Sequence, residues 1–282
     1  MNRFLFGFGF LAIVILGCNI STPTPQGVTP LPGITDTKGG GHEPTKTATE
    51  PVSEPPTDTP APTTNTTCNE LSFYLDSSLA SGAQCETIPE FVSPTGIGTN
   101  PEYTKVSLQG YVLSDRFMKP VISVFSLDKF SQILPDVINA DVPALQALIA
   151  GGAPGSSDLP LLPVQYARQL FFAQYAVVAF TNGSGYHILT EYAQAYYPVN
   201  NHEMFFSYQG ITSDGKYWIS VILPISNPIL PENGDNPPAD LYTNPDPYYA
   251  QMSAALNAAQ LKSFVPSIVT INGLIKSMVI TP

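Results

Sequence analysis

From Lys216 to Ile225 the chain alternates strictly: Tyr217, Ile219, Val221 and Leu223 fall on one side, Lys216, Trp218, Ser220 and Ile222 on the other. Such period-two patterning predicts a β-strand, with the first set in the core and the second only partly covered. Met204 to Ile211 is its hairpin partner, joined by Ser213-Asp214-Gly215-Lys216. A second hairpin is predicted from Leu170–Phe180 and Tyr186–Gln194, with Asn182-Gly183-Ser184-Gly185 supplying positive-φ positions for the reversal. Val106–Leu113 and Val121–Phe125 read as further strands, the latter opened by Pro120, whereas Leu71–Asp76 is open to either a short helix or a strand.

The helical period appears in four places. Leu127, Phe130, Ile133 and Leu134 share a stripe, and a second helix is expected after Asp141, with Pro143 in its first turn and Gly151-Gly152 at its end. Pro247–Phe264 behind Asp246, and the strongly apolar Ser267–Met278, supply the last two. Strands, helices, antiparallel hairpins and helices in that order predict an α+β domain: one mainly antiparallel sheet covered by helices. This element order is similar to that of the PsbP/Mog1-type sandwich, without a motif to support it, and that resemblance implies an assembly factor for a membrane complex.

The N-terminus has a different pattern. Arg3 precedes the uncharged run Phe4–Leu16, which is too short for a bilayer span of about 20 residues and ends in Ile15-Leu16-Gly17-Cys18. These residues resemble the lipobox of bacterial lipoproteins. The resemblance implies cleavage after residue 17, acylation of Cys18 as lipid attachment site, and an extracytoplasmic protein anchored to the cell membrane or outer membrane. More than one acyl chain gives durable anchoring, at about 0.8 kcal/mol per buried CH₂. Asn19 stands where an inner-membrane retention signal would have Asp.

Residues 19–67 contain 10 Pro, 14 Thr and no aromatic residue, so they lack the apolar groups that offset chain ordering. The expected organisation is a signal peptide at 1–17, a lipidated Cys and disordered tether at 18–67, and a globular domain at 68–282. The tether is stiffened towards polyproline II, reaches about 150 Å if fully extended, and offers many hydroxyls for glycosylation. The globular part holds 8 Lys+Arg against 17 Asp+Glu and no basic cluster, which argues against nucleic acid as a partner. Cys68 and Cys85 remain as an even pair, and a disulfide between them is expected in an exported protein.

Catalytic motifs are lacking: there is no HExxH, phosphate loop, GxSxG or CxxC. His187 and Glu191 lie four apart on one predicted strand, about 13 Å from one another, too far for direct proton exchange. His202 and Glu203 are adjacent at a strand entry. A hydrolase site using His187 or His202 with a carboxylate is one reading; histidines near hairpin ends are the plainer one. In the 20-residue loop 226–245, Glu232, Asp235 and Asp240, with Asn233 and Asn236, gather the hard oxygen donors that calcium takes. The spacing is not that of an EF-hand, and the same residue types form ordinary turns. Tyr192, Tyr196, Tyr197, Trp218, Tyr242, Tyr248 and Tyr249 gather around hairpin ends and this loop, either as a contact surface for glycan, peptide or protein, or as cover for the sheet. The leading expectation is a lipid-anchored binding or scaffolding domain of the cell envelope. The alternatives are an envelope hydrolase and the assembly factor named above.

Overall fold

Both faces of the strand around Trp218 are buried, and the architecture explains why. In a computed structural model describing residues 63–155 and 159–281, which belong to one compact unit, two antiparallel sheets and four α-helices form an α+β fold. The small sheet has the order β1-β2-β10, from β1 (Thr66–Cys68), β2 (Leu71–Phe73) and β10 (Val279–Ile280). The large sheet contains β3 (Gly82–Ile88), β4 (Tyr103–Gln109), β5 (Val121–Ser126), β6 (Arg168–Phe180), β7 (Gly183–Ala193), β8 (Phe205–Thr212) and β9 (Tyr217–Pro224). Its order is β3-β4-β5-β9-β8-β7-β6. The helices are α1 (Leu127–Ile133), α2 (Pro135–Ile149), α3 (Pro245–Ala258) and α4 (Ile268–Ser277).

One sheet face carries Ile122, Val124, Ile219, Val221, Leu223 and Phe206 into a core shared with α3, α4 and the small sheet. The opposite face carries Phe125, Trp218, Ile211, Tyr186 and Ile188 against α1 and α2. The expectation that the Trp218 side is only partly covered therefore fails. Besides the two helices, an extended strap, Leu159–Leu162, lies on it. Gln209 Oε1 accepts from Leu162 N at 3.1 Å and from Trp218 Nε1 at 2.7 Å. Gln169 Oε1 accepts from Leu159 N at 3.0 Å, and Tyr186 Oη donates to the Pro160 carbonyl. A sheet face with Ser, Gln and Thr in its middle is sealed by giving the strap's backbone its partners.

Three other details depart from the sequence expectation. Helix α2 begins seven residues early, at Pro135 rather than just after Asp141, and accommodates Pro143 in its interior. The β6–β7 reversal takes only Thr181 and Asn182; Gly183 and Gly185 are strand residues without positive φ. Glycine is needed at 183 for space, because a Cβ there would lie 2.1 Å from the Phe180 ring. Residues ascribed to the tether join the fold: β1 starts at Thr66, and Asn65 Oδ1 accepts from Leu75 N at 2.8 Å. Cys68 and Cys85 form a disulfide with Cα atoms 5.7 Å apart, tying β1 of the small sheet to edge strand β3 of the large one. Cys18 and the Phe4–Leu16 run lie outside the described residues. Among those residues, no helix is long and apolar enough to cross a membrane.

Candidate functional site

The ladder between β7 and β8 ends at the pair Thr190–Phe205. Glu191, the next residue, still pairs with Phe171 of β6, but has no strand on its other side. A cavity of about 440 Å³ opens there. Glu191, Tyr192 and Gln194 of the β7 end line it, together with Tyr197 and Glu203 from the following loop. Phe117, Met118 and Tyr166 complete the apolar wall; Phe117 and Tyr166 are 58% and 47% exposed, so they form the rim.

Glu191 is only 1% exposed. Its Oε2 accepts from Asn200 N at 3.4 Å, whereas Oε1 has no hydrogen-bond partner among the described residues. Three other buried side-chain atoms share that condition, in Arg116, His187 and Asn272, and none of these residues lines the cavity. Burial pushes the Glu191 carboxyl up to about 9, the Asn200 amide opposing and the nearby Glu203 charge reinforcing the shift. At neutral pH it is therefore an undissociated acid, able to donate one hydrogen bond and accept others.

The loop that forms one wall of the site is tied on three sides. Asn200 Oδ1 accepts from His202 N and Glu203 N, at 3.0 and 3.1 Å, closing the turn that presents Glu203. Asn201 Nδ2 donates to the Leu230 carbonyl, and Asn227 N donates to Asn201 Oδ1, which fastens the turn to the 226–245 loop. Tyr248 Oη accepts from Val199 N at 2.9 Å, and Tyr249 Oη from Tyr197 N at 3.0 Å. Gly234 packs directly on the Tyr197 ring: a Cβ there would come within 2.5 Å of it.

The aromatic residues singled out from sequence therefore divide. Tyr192 and Tyr197 reach the cavity. Tyr248 and Tyr249 are pins, and Tyr196 stands beside Tyr249 with the Arg168 guanidinium over its ring at 5.4 Å. Tyr242 is exposed elsewhere, and Trp218 is fully buried core, which removes it from any contact surface. The acidic residues of the 226–245 loop lie at the surface. Glu232 pairs with Arg116, Asp235 and Asp240 are exposed, and among the described residues no group of three or more His, Cys, Asp or Glu is placed to hold a metal ion.

The histidines divide likewise. His187 is 1% exposed, lies 4.8 Å from the Phe206 ring, and hydrogen-bonds to the Gln174 backbone at a β6 bulge where Gln174 has φ +53°. Burial holds its ring down to about 4, so it is a neutral core residue with no carboxylate beside it. His202 Nδ1 lies 2.9 Å from Glu203 Oε1, at the cavity margin. Sequence reasoning missed Glu191 as a site residue in its own right, because the decisive signal, the end of the β8 ladder one residue before it, is a matter of register. No protein-family model, curated protein or solved structure matches this chain.

Proposed function

We propose that this protein is a binding domain of the cell envelope, anchored through a lipid on Cys18 and carried on a Thr/Pro-rich tether, with the Glu191 cavity as its ligand site. The observation that carries the reading is a buried carboxyl among the residues lining an aromatic cavity, with one oxygen lacking a hydrogen-bond partner among the described residues. Clefts of roughly 300–1,000 Å³ with apolar walls and a few convergent polar groups are the usual form of ligand sites. The Cys68–Cys85 disulfide is compatible with an extracytoplasmic location. To test the binding role, the full-length protein is incubated with fractionated envelope of its host. Recovery on one fraction should fall at least tenfold for a Glu191→Gln/Tyr197→Ala variant, and unchanged recovery contradicts the reading. The anchor is tested by radiolabelled fatty acid, whose incorporation Cys18→Ala should abolish.

A second reading is favoured by the 2.9 Å contact between His202 and Glu203. An undissociated Glu191 with a carboxylate close by is a pairing suited to acid–base hydrolysis of envelope material. It requires turnover that His202→Asn removes while ligand retention persists; binding without turnover counts against it.

A further inference from the structure

Resting on the assignment of the Glu191 cavity as a ligand site, we infer that its ligand is a primary alkylammonium group on an apolar stem, of which the lysine side chain is the type. Two carboxyl groups, Glu191 and Glu203, line the cavity, and among the described residues lining it none carries positive charge. The cations next in sequence to lining residues are engaged elsewhere: Arg116 with Glu232, Lys119 with the Arg116 carbonyl, and Arg168 with Tyr196. Glu191 lines the cavity, and its Oε1 is buried without a hydrogen-bond partner among the described residues, so an N–H donor that reaches it meets an acceptor no other described group satisfies. Above it, Tyr197, Tyr166, Phe117 and Met118 offer apolar surface for a methylene stem, and aromatic faces attract a cation. A neutral hydroxyl would meet the same oxygen but gain nothing from Glu203.

Occupancy carries a proton with it. Glu191 is faced by Glu203 on the loop entering β8, by Tyr197, and by Tyr248 and Tyr249 of α3, all acidic groups and none of them a cation. Burial first, and then the Glu203 charge, keep Glu191 protonated when no cation is beside it; the tyrosines are uncharged at neutral pH. An ammonium beside the carboxyl reverses the balance: the O–H bond of Glu191 breaks, its proton leaves to buffer, and carboxylate and ammonium remain as an ion pair. Binding is then linked to pH. Affinity rises as pH rises towards about 9, where Glu191 ionises without help, and falls again once the amine itself deprotonates near pH 10.4.

The test is calorimetric titration of the full-length protein with N-acetyl-lysine-N-methylamide and with the norleucine analogue that lacks the nitrogen. Each titration is repeated in two buffers of different ionisation enthalpy. The lysine probe should bind at least tenfold more tightly than norleucine, with about one proton released per site at pH 7. Affinity should rise close to tenfold per pH unit from 6 to 8. Glu191→Gln should flatten that pH dependence and lower affinity at least tenfold at pH 8. A free n-butylamine arm separates peptide from small amine, since tighter binding of the blocked lysine points to a peptide and equal binding to the amine alone. Norleucine binding as tightly as lysine overturns this inference and leaves the cavity a site for neutral groups. Absence of binding by either probe also overturns it, while the envelope-recovery experiment decides the binding role separately.

Discussion

Around Gln209 every buried side-chain donor and acceptor is answered, whereas around Glu191, one ladder-end away in the same sheet, a carboxyl oxygen is left over. Gln209 Nε2 lies within 3.3 Å of the Leu162 carbonyl and 3.0 Å of Ser207 Oγ and Ser220 Oγ, and its Oε1 serves both Leu162 and Trp218. The first region is polar because a strap must be fastened to a sheet face. The second is polar at a cost to stability that, among the described residues, a hydrogen bond from the Asn200 amide offsets only in part, and such a cost is common at functional sites. Buried polarity alone therefore does not mark a site; the proposed binding role rests on buried polarity left unfinished on the wall of a cavity.

The comparison sharpens most at Gln209. Replacing it by Ala strips partners from Leu162, Trp218 and Ser220 together, and should lower unfolding free energy by about 4 kcal/mol, read by denaturant titration. A loss below about 1 kcal/mol would break the distinction. Removing the Cys68–Cys85 bridge, which spans 17 positions, should cost about 3 kcal/mol in the chain-entropy account, measured on the Cys85→Ser/Cys68→Ser variant.

Glu191 should behave in the opposite sense. Its folded-state value is raised from 4.5 to about 9, so the folded state holds a proton that the unfolded chain gives up across that window. Its contribution to stability is full below pH 4.5 and is lost as pH rises towards 9. Relative to Glu191→Gln, the wild type should weaken with rising pH by at most about 1.4 kcal/mol per unit. His187, held down from 6.5 to about 4, gives the mirror case: stability is lost as pH falls from 6.5 towards 4, and His187→Gln should flatten that acid limb. The smallest effect is expected from Tyr248→Phe, which leaves Val199 N unpartnered at about 1 kcal/mol and loosens the loop carrying Tyr197.

Much of the fold is legible in local pattern. The β8–β9 hairpin follows from alternation plus Asp214-Gly215, where Gly215 takes φ +70°, and the disulfide joins the even pair left when Cys18 is set aside. The burial of Trp218 is not legible, because its cover includes Leu159–Leu162, a strap set between prolines with no periodicity to announce it. Helix α2 is misplaced in the same way: Asp141 and Pro143 look like a helix start, yet Pro135 supplies an earlier one. The site is the least legible part. Glu191 looks from sequence like one more strand residue beside a tempting histidine, and its isolation depends on β8 starting opposite Thr190.

The most direct measurement is a carbon-13 NMR titration of the Glu191 carboxyl in the full-length protein, free and with the lysine probe. The account predicts a free midpoint near 9 that moves down by at least one pH unit when the probe binds. A free midpoint in the ordinary carboxylate range, or one that the probe leaves in place, would contradict it.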